Sequence, residues 1–197
     1  IEALSDLALE RNVWLHVDAC VGGYFAPFAR MNGVPVPPFD FELPGVRSMS
    51  AAFDKWAYAM KPAAVLAWRD LESKQYAVVT TGDWPLEPAT SSGIGGGRSG
   101  GPVAAVWAVF HHLGAEGYQL LASHLTEGQR EYARRLARVP GITVIEPGFT
   151  VLNFVHETLS PDSIILAMHQ RGWRHFACKS PPMVTLNFDA ASIDVME

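Results

Sequence analysis

The sequence predicts an α/β domain followed by a small α+β lobe. Three observations carry this reading. Short apolar strands at residues 13–17, 46–51 and 63–68 follow an opening helical segment. A long helical tract rich in Ala, Val and Trp starts near Pro102. Beyond Pro140-Gly141 the tail reads strand, strand, helix, strand, and that pair of turn residues marks a boundary.

In order along the chain, residues 1–11 place Ile1, Leu4, Leu7 and Ala8 on one helical stripe. The apolar strand 13–17 ends at Asp18, and Gly22-Gly23 then breaks regularity. Five prolines between Pro27 and Pro44 exclude a helix over that excursion. The strands 46–51 and 63–68 are expected to pair as a hairpin around the Asp54-Lys55 turn. Residues 69–100 read as irregular and close on the glycine-rich run from Gly93 to Gly101. The helix 102–113 carries Pro at a tolerated first-turn position and is apolar nearly all round, which implies burial between layers or subunits. Gly114 and Gly117 precede a second helix over 118–139. Strands 143–145 and 150–156, a helix over 162–171 and a strand over 183–188 complete the lobe.

Composition excludes several classes. With 197 residues, 49% hydrophobic and 18% charged, the chain can bury a substantial core and is not disordered. A net charge of −5 and a pI near 5.8 argue against a nucleic-acid partner. The basic stretch from Arg130 to Arg138 is interrupted by Glu131 and reads as the solvated side of a helix. Cys20 and Cys178 form no CxxC and no disulfide framework, which points to a reducing compartment. No apolar run approaches a membrane span, and no signal peptide is visible. The chain opens on Ile1 inside a helical pattern, so a fragment lacking an N-terminal portion is expected.

Two residues carry the chemistry. Asp18 closes one strand, and Lys55 lies just past the end of the next. In an α/β sheet, ligands sit at the carboxyl ends of strands. A pyridoxal phosphate enzyme needs this combination: a carboxylate that keeps the pyridine nitrogen protonated, and an amine that holds the aldehyde as a Schiff base. Alternation puts His16 on the face of Asp18, where it is expected to hydrogen-bond the carboxylate. Ser48, Met49, Ser50 and Ala51 make a strand end of mostly small residues that would admit a planar cofactor. Trp56, Tyr58 and Met60 around Lys55 would desolvate its amine, and Lys61 follows six residues on. The run Gly95 to Gly101, with Arg98 inside it, leads into a helix whose amides suit a phosphate. The dull alternatives are an Asp that caps a turn, a solvated Lys and a flexible linker. No His, Cys or acidic cluster has metal-ligand spacing, so no metal is expected. No G-x-S-x-G elbow is present either.

The order of these motifs resembles one family. H-V-D-A-C-V-G-G-Y-F-A-P-F, F-D-F-E-L-P-G-V-R-S-M-S-A, K-W-A-Y-A-M-K-P, then G-D-W and G-G-G-R-S-G-G are similar to the sphingosine-1-phosphate lyases. These are a branch of the group II decarboxylases among fold-type-I pyridoxal phosphate enzymes. The likeness covers residues 10 to 120 and continues more loosely to the end. It implies a large domain with a mostly parallel sheet, a small C-terminal α+β domain, and a homodimer with shared active sites. On that reading residues 1–116 are the C-terminal part of the cofactor-binding domain, and 117–197 are the interdomain helix and small domain. Asp18 then matches the aspartate on the pyridine nitrogen and Lys55 the Schiff-base lysine. Lys61 matches a second lysine near the substrate phosphate, and Arg98 lies in the loop that reaches the neighbouring subunit's cofactor phosphate. His16, Ala19, Ser50, Asp54 and Gly97 complete the expected cofactor contacts.

Two departures stand out. Asp54 occupies the position where the family usually has His facing the cofactor phosphate. At ~5 Å and an effective dielectric near 20, a carboxylate facing one phosphate charge costs about 3 kcal/mol. Uncompensated, that weakens cofactor binding on the order of a hundredfold. Gly97 likewise replaces a Ser, and Gly100-Gly101 follow Ser99 where a proline is common nearby. For the reaction, the resemblance implies cleavage of a phosphorylated long-chain base to a fatty aldehyde and phosphoethanolamine. Lys61 suits the phosphate, residues 180–186 lack the Arg that often orients a decarboxylase substrate, and Cys20-Val21-Gly22-Gly23 looks like the lyases. A group II amino-acid decarboxylase and a non-catalytic homologue or dimerisation partner are the alternatives. The expected location is the cytoplasm, or the endoplasmic reticulum membrane through a segment outside this chain if the source is eukaryotic.

Overall fold

A computed structural model describes residues 1–83, 85, 88–92, 96–145 and 151–188. The chain divides into two compact units: Ile1–Phe25 with Pro37–Gly114, and Ala26–Val36 with the residues from 115 onward.

In the first unit, α1 (Glu2–Arg11) ends at Asn12, which adopts the left-handed conformation at φ 50°. The expected stripe of Leu4 and Leu7 is exposed, and the helix buries Ser5 and Ala8 instead. The reason is close backbone approach: Gly45 N donates to Ser5 Oγ at 2.9 Å, and a larger side chain there would hold the two segments apart. Strand β1 (Leu15–Asp18) runs parallel to β2 (Val46–Ala52), and β2 pairs antiparallel with β3 (Ala64–Trp68), in the order β1-β2-β3. The expected hairpin around Lys55 is therefore present. Val17, Leu43 and Val46 form the core beneath, with Leu15, Ala19, Phe39, Phe41 and Met49 packed on it.

Residues 32–44 contain no regular element, so their carbonyls need other partners. Arg69, just past β3, supplies them. Its guanidinium donates to the carbonyls of Val46 at 2.7 Å, Leu43 at 2.6 Å and Phe41 at 3.1 Å, and lies 5.6 Å from the centre of the Phe41 ring. One arginine thus fixes the approach to β2.

The stretch 69–100, read as irregular from sequence, holds three short elements. These are α3 (Leu71–Gln75), capped by Asp70, and the antiparallel pair β4 (Val79–Thr81) and β5 (Ala89–Ser91). Elements of three to five residues are too short to show a period. Helix α4 (Gly101–Leu136) is interrupted at Gly114, whose φ 59° and ψ −175° are not helical. Before that break Phe110 stacks on Tyr24 with ring centres 4.5 Å apart, and Phe53 meets Phe110 edge-on at 5.3 Å. Val103 and Trp107 are 71% and 64% exposed, so the expected all-round burial does not occur within this chain.

In the second unit, α4 beyond Gly114 buries Tyr118, Ala122, Leu125, Thr126, Gln129 and Ala133, spaced three and four apart along one stripe. Helix α2 (Ala26–Met31) packs here, with Phe28 stacked on Tyr118 at 5.0 Å and Asn32 Nδ2 donating to the Gln119 carbonyl at 2.7 Å. The Pro-rich excursion was expected to exclude a helix. Pro27 lies in the first turn of α2, where its missing N–H costs nothing. Strands β6 (Ile142–Ile145), β7 (Val151–His156), β8 (Phe176–Lys179) and β9 (Pro182–Asn187) form an antiparallel sheet in the order β6-β7-β9-β8. Helix α5 (Pro161–His169), capped by Ser160, packs on β8 and β9. Leu152, Phe154, Val184, Leu186 and Phe188 are buried in this lobe. Strand β8 was not foreseen: four residues just before Ser180-Pro181-Pro182 read as a turn region. Thr150, the expected start of β7, lies outside the described residues, as do Trp84 and residues 93–95 of the glycine-rich run. Among the described residues no helix is long and apolar enough to cross a membrane.

The contact between α1 and Gly45 yields a test. A Cβ added to Gly45 would lie 2.2 Å from the Ser5 carbonyl oxygen, a backbone atom that cannot swing aside. Gly45→Ala is expected to destabilise the protein by about 2 kcal/mol or more, seen as a lower urea midpoint at nearly unchanged slope.

Candidate active site

Parallel pairing sets Asp18 opposite Ser50, so the carboxyl ends of β1 and β2 open side by side. The Asp18 carboxylate accepts from Ser50 Oγ at 2.8 Å and from the Cys20 backbone N–H at 3.2 Å. The Ser50 hydroxyl, then the Cys20 thiol and backbone N–H, hold the Asp18 carboxyl below the usual carboxylate range. Asp18 is thus an exposed, firmly ionised group at a strand end.

Lys55 sits on a tied loop between β2 and β3. Phe53 N donates to the Ala63 carbonyl at 2.8 Å, Ala59 N to the Phe53 carbonyl at 2.9 Å, and Tyr58 N to the Lys55 carbonyl at 3.2 Å. Tyr58 adopts the left-handed conformation at φ 59°, a strained choice for a side chain of its size. Trp56, Ala57 and Ala59 are buried, and the Trp56 ring centre lies 6.0 Å from that of Phe25. These residues anchor the loop while Lys55 itself projects outward and is exposed. The expected desolvation of its amine by Trp56 and Met60 is therefore absent in this chain. Trp56 turns into the core, and Met60 is exposed.

The Cys20 carbonyl accepts from Ala52 N at 3.2 Å, which sets Cys20 beside the end of β2. Burial, then its hydrogen bond to Asp18, pushes the Cys20 thiol up, and the Lys55 charge opposes that shift. Sequence reasoning used Cys20 as a redox-compartment clue and a family marker, yet its backbone N–H contacts the carboxylate. The detectable signal was its position two residues past Asp18, where a backbone N–H reaches back to an Asp side chain.

The remaining residues fall into three groups. Ala19 is partly buried, and its backbone N–H donates to the Ser50 carbonyl at 3.0 Å, locking the end of β1 to β2. His16 is on the face of Asp18, as alternation requires, but its Nδ1 lies 2.8 Å from Ser48 Oγ, the hydrogen bond expected with the carboxylate going to Ser48 instead. The physical reason is register: His16 stands opposite Ser48, and Asp18 stands one pleat further on, opposite Ser50. Asp54 pairs with Lys61, Oδ2 to Nζ at 3.8 Å, with Asp54 only 13% exposed and Lys61 76% exposed. The Asp54 carboxylate thus has a cationic partner on its own loop. Arg98 and Ser99 line a largely apolar cleft of about 630 Å³ with Phe53, Pro62, Ala64, Val103 and Val106. Gly97 and Arg98 also face Trp68, Thr90 and Ser91 in a second cleft. Phe53 and Pro62 are the chain neighbours of Asp54 and Lys61, so the glycine-rich run meets the lysine loop.

These groups fit pyridoxal phosphate at both ends. An ionised carboxylate suits a protonated ring nitrogen, and an exposed amine suits an aldehyde. Among the described residues no group of three or more His, Cys, Asp or Glu side chains is placed to hold a metal ion.

Comparisons with known proteins agree with the geometry. The family described as the pyridoxal-dependent decarboxylase conserved domain matches residues 1–146. A sphingosine-1-phosphate lyase of Oryza sativa is 34% identical over 182 residues, covering 92% of this chain and 34% of its own length. A probable L-tyrosine/L-aspartate decarboxylase of Methanothermobacter thermautotrophicus is 31% identical over 184 residues, covering 93% of this chain and 50% of its own length. Among solved structures, the Burkholderia pseudomallei sphingosine-1-phosphate lyase superposes with a TM-score of 0.89 at 36% identity, covering 98% of this chain and 44% of that one. The chain thus spans between about a third and a half of the length of these proteins, and it shares the fold of pyridoxal phosphate lyases and decarboxylases.

The Asp18 environment predicts a titration. Ser50→Ala removes the largest contribution holding the carboxyl down, so its midpoint should rise toward the ordinary value, read by 13C NMR of the Asp side chains. Because the folded value is depressed, Asp18 contributes stability above the unfolded carboxyl range near pH 4, and that contribution fades as pH falls through the lower folded value. Across that window Ser50→Ala should therefore lose less stability on acidification than the parent.

Proposed function

This chain belongs to the pyridoxal-dependent decarboxylase family, and on that premise we propose that it is the C-terminal part of a carbon–carbon lyase acting on a phosphorylated long-chain base. The products would be a fatty aldehyde and phosphoethanolamine, and the assembly a homodimer with shared active sites. The observation that carries the reading is the placement of Asp18 at the carboxyl end of β1, beside the end of β2 from which the tied loop of Lys55 departs. Residues 1–116 are read as part of the large cofactor-binding domain, and 117–197 as the interdomain helix and small domain.

When bound, pyridoxal phosphate supplies an electron sink for the pair released by the breaking C2–C3 bond. The chain's residues do the rest. Asp18, kept ionised by Ser50 and Cys20, holds a proton on the ring nitrogen. Lys55 supplies the amine that secures the aldehyde and then moves protons at the reacting carbon. Lys61 meets the substrate phosphate, and Arg98 with Gly97 meets a cofactor phosphate. Ala19, Ser50 and His16 frame the ring. The amino-acid decarboxylase reading is supported by archaeal decarboxylases at 31% to 36% identity, a range that includes the 34% of the Oryza lyase.

The test uses the protein that contains this chain, mixed with pyridoxal phosphate and treated with borohydride. A phosphopyridoxyl mass on the peptide holding Lys55, lost in Lys55→Ala, is expected. Aldehyde release from a phosphorylated long-chain base should accompany it, and carbon dioxide from aspartate or tyrosine without any aldehyde would replace the lyase by the decarboxylase.

The pairing of Lys61 with Asp54 gives a further expected outcome. Lys61→Ala should weaken pyridoxal phosphate binding by roughly tenfold, below the uncompensated hundredfold because the pair is partly solvated. Adding Asp54→Asn should restore it. Pyridoxal, which lacks the phosphate, should bind all three proteins alike, as followed by absorbance titration.

A further inference from the structure

Trp14 and Ser48, which form one hydrogen-bonded row with His16 on the β1–β2 face, have no part in the mechanism above. Trp14 Nε1 donates to Ser48 Oγ at 2.8 Å, and Ser48 Oγ lies 2.8 Å from His16 Nδ1. Ser48 is 4% exposed, so its hydroxyl has little access to water. A hydroxyl carries one hydrogen, and indole N–H can only donate. Trp14 therefore takes a lone pair of Ser48, and the Ser48 hydrogen must go to an acceptor. The acceptor opposite it is His16 Nδ1, fixed there by the parallel register that sets His16 against Ser48. An imidazole that accepts at Nδ1 carries its hydrogen on Nε2.

We propose that Ser48, oriented by Trp14, is a positioning residue that holds His16 as the Nε2–H tautomer. The exposed face that carries Asp18 thereby presents a directed N–H donor. The opposite tautomer would place a bare nitrogen lone pair two residues from the Asp18 carboxylate, aligning two acceptors on one face. It would also strand the buried Ser48 hydrogen, at the cost of an unmade hydrogen bond. The Nε2–H form satisfies Trp14 Nε1, Ser48 Oγ and His16 Nδ1, and leaves Nε2–H to favour an acceptor atom bound beside Asp18. Only this last consequence rests on the cofactor reading; the tautomer itself does not.

The experiment is 15N NMR on the protein containing this chain, labelled at histidine nitrogen, without cofactor and at mildly alkaline pH. His16 is assigned by the signals missing from His16→Gln. A bare-nitrogen resonance at Nδ1 with a protonated one at Nε2 is expected. Ser48→Ala should abolish that preference, and Ser48→Thr, which keeps the hydroxyl, should restore it. A protonated Nδ1 in the parent protein overturns the proposal, and that result needs no variant to fold. An unchanged tautomer in folded Ser48→Ala overturns it too. Borohydride labelling of Lys55 on the same samples is scored separately. Loss of labelling with the tautomer intact sinks the cofactor reading and leaves the tautomer assignment standing.

Discussion

The register between β1 and β2 is the constraint from which the rest of the site follows. Two parallel strands paired as Asp18 with Ser50 and His16 with Ser48 put four polar side chains on one face in two cross-strand rungs. Each rung contains one hydroxyl and one titratable group. A slip of one residue would send Asp18 and His16 to the opposite face and leave Ser48 and Ser50 facing apolar neighbours. Arg69 defends that register from the other end, because its three carbonyl contacts fix the chain entering β2.

Buried and exposed groups divide the work. Trp56, Ala57 and Ala59 are sunk into the first unit, and a tyrosine accepts a left-handed conformation so that the loop can close. The result is an amine held outward on a tied support. At Asp18 the logic is similar: small donors within hydrogen-bond distance keep the charge in place without covering it. Asp54 is likewise paired within its own segment: Lys61, seven residues on and on the same loop, lies 3.8 Å from its carboxylate.

Much of this was legible in the residues. The opening helix, the three strands, the hairpin around Lys55 and the core of the small lobe followed from periodicity and turn chemistry. The misses share a cause. Ser5 replaced Leu4 and Leu7 as the buried face of α1 because Gly45, forty positions away, approaches closely. Helix α2 escaped notice because a proline in a first turn resembles a proline that breaks a helix. Strands β4, β5 and β8 were too short for any period to register.

The sequence alone determined that an acid and an amine would end successive strands, since strand ends are marked by local pattern and by turn residues. Tertiary structure decided what each group touches: Ser50 and Cys20 for Asp18, Ser48 for His16, Lys61 for Asp54. The Ser50 and Ser48 contacts depend on which residue of one strand faces which residue of another, and pairing across some thirty positions leaves no trace in local composition.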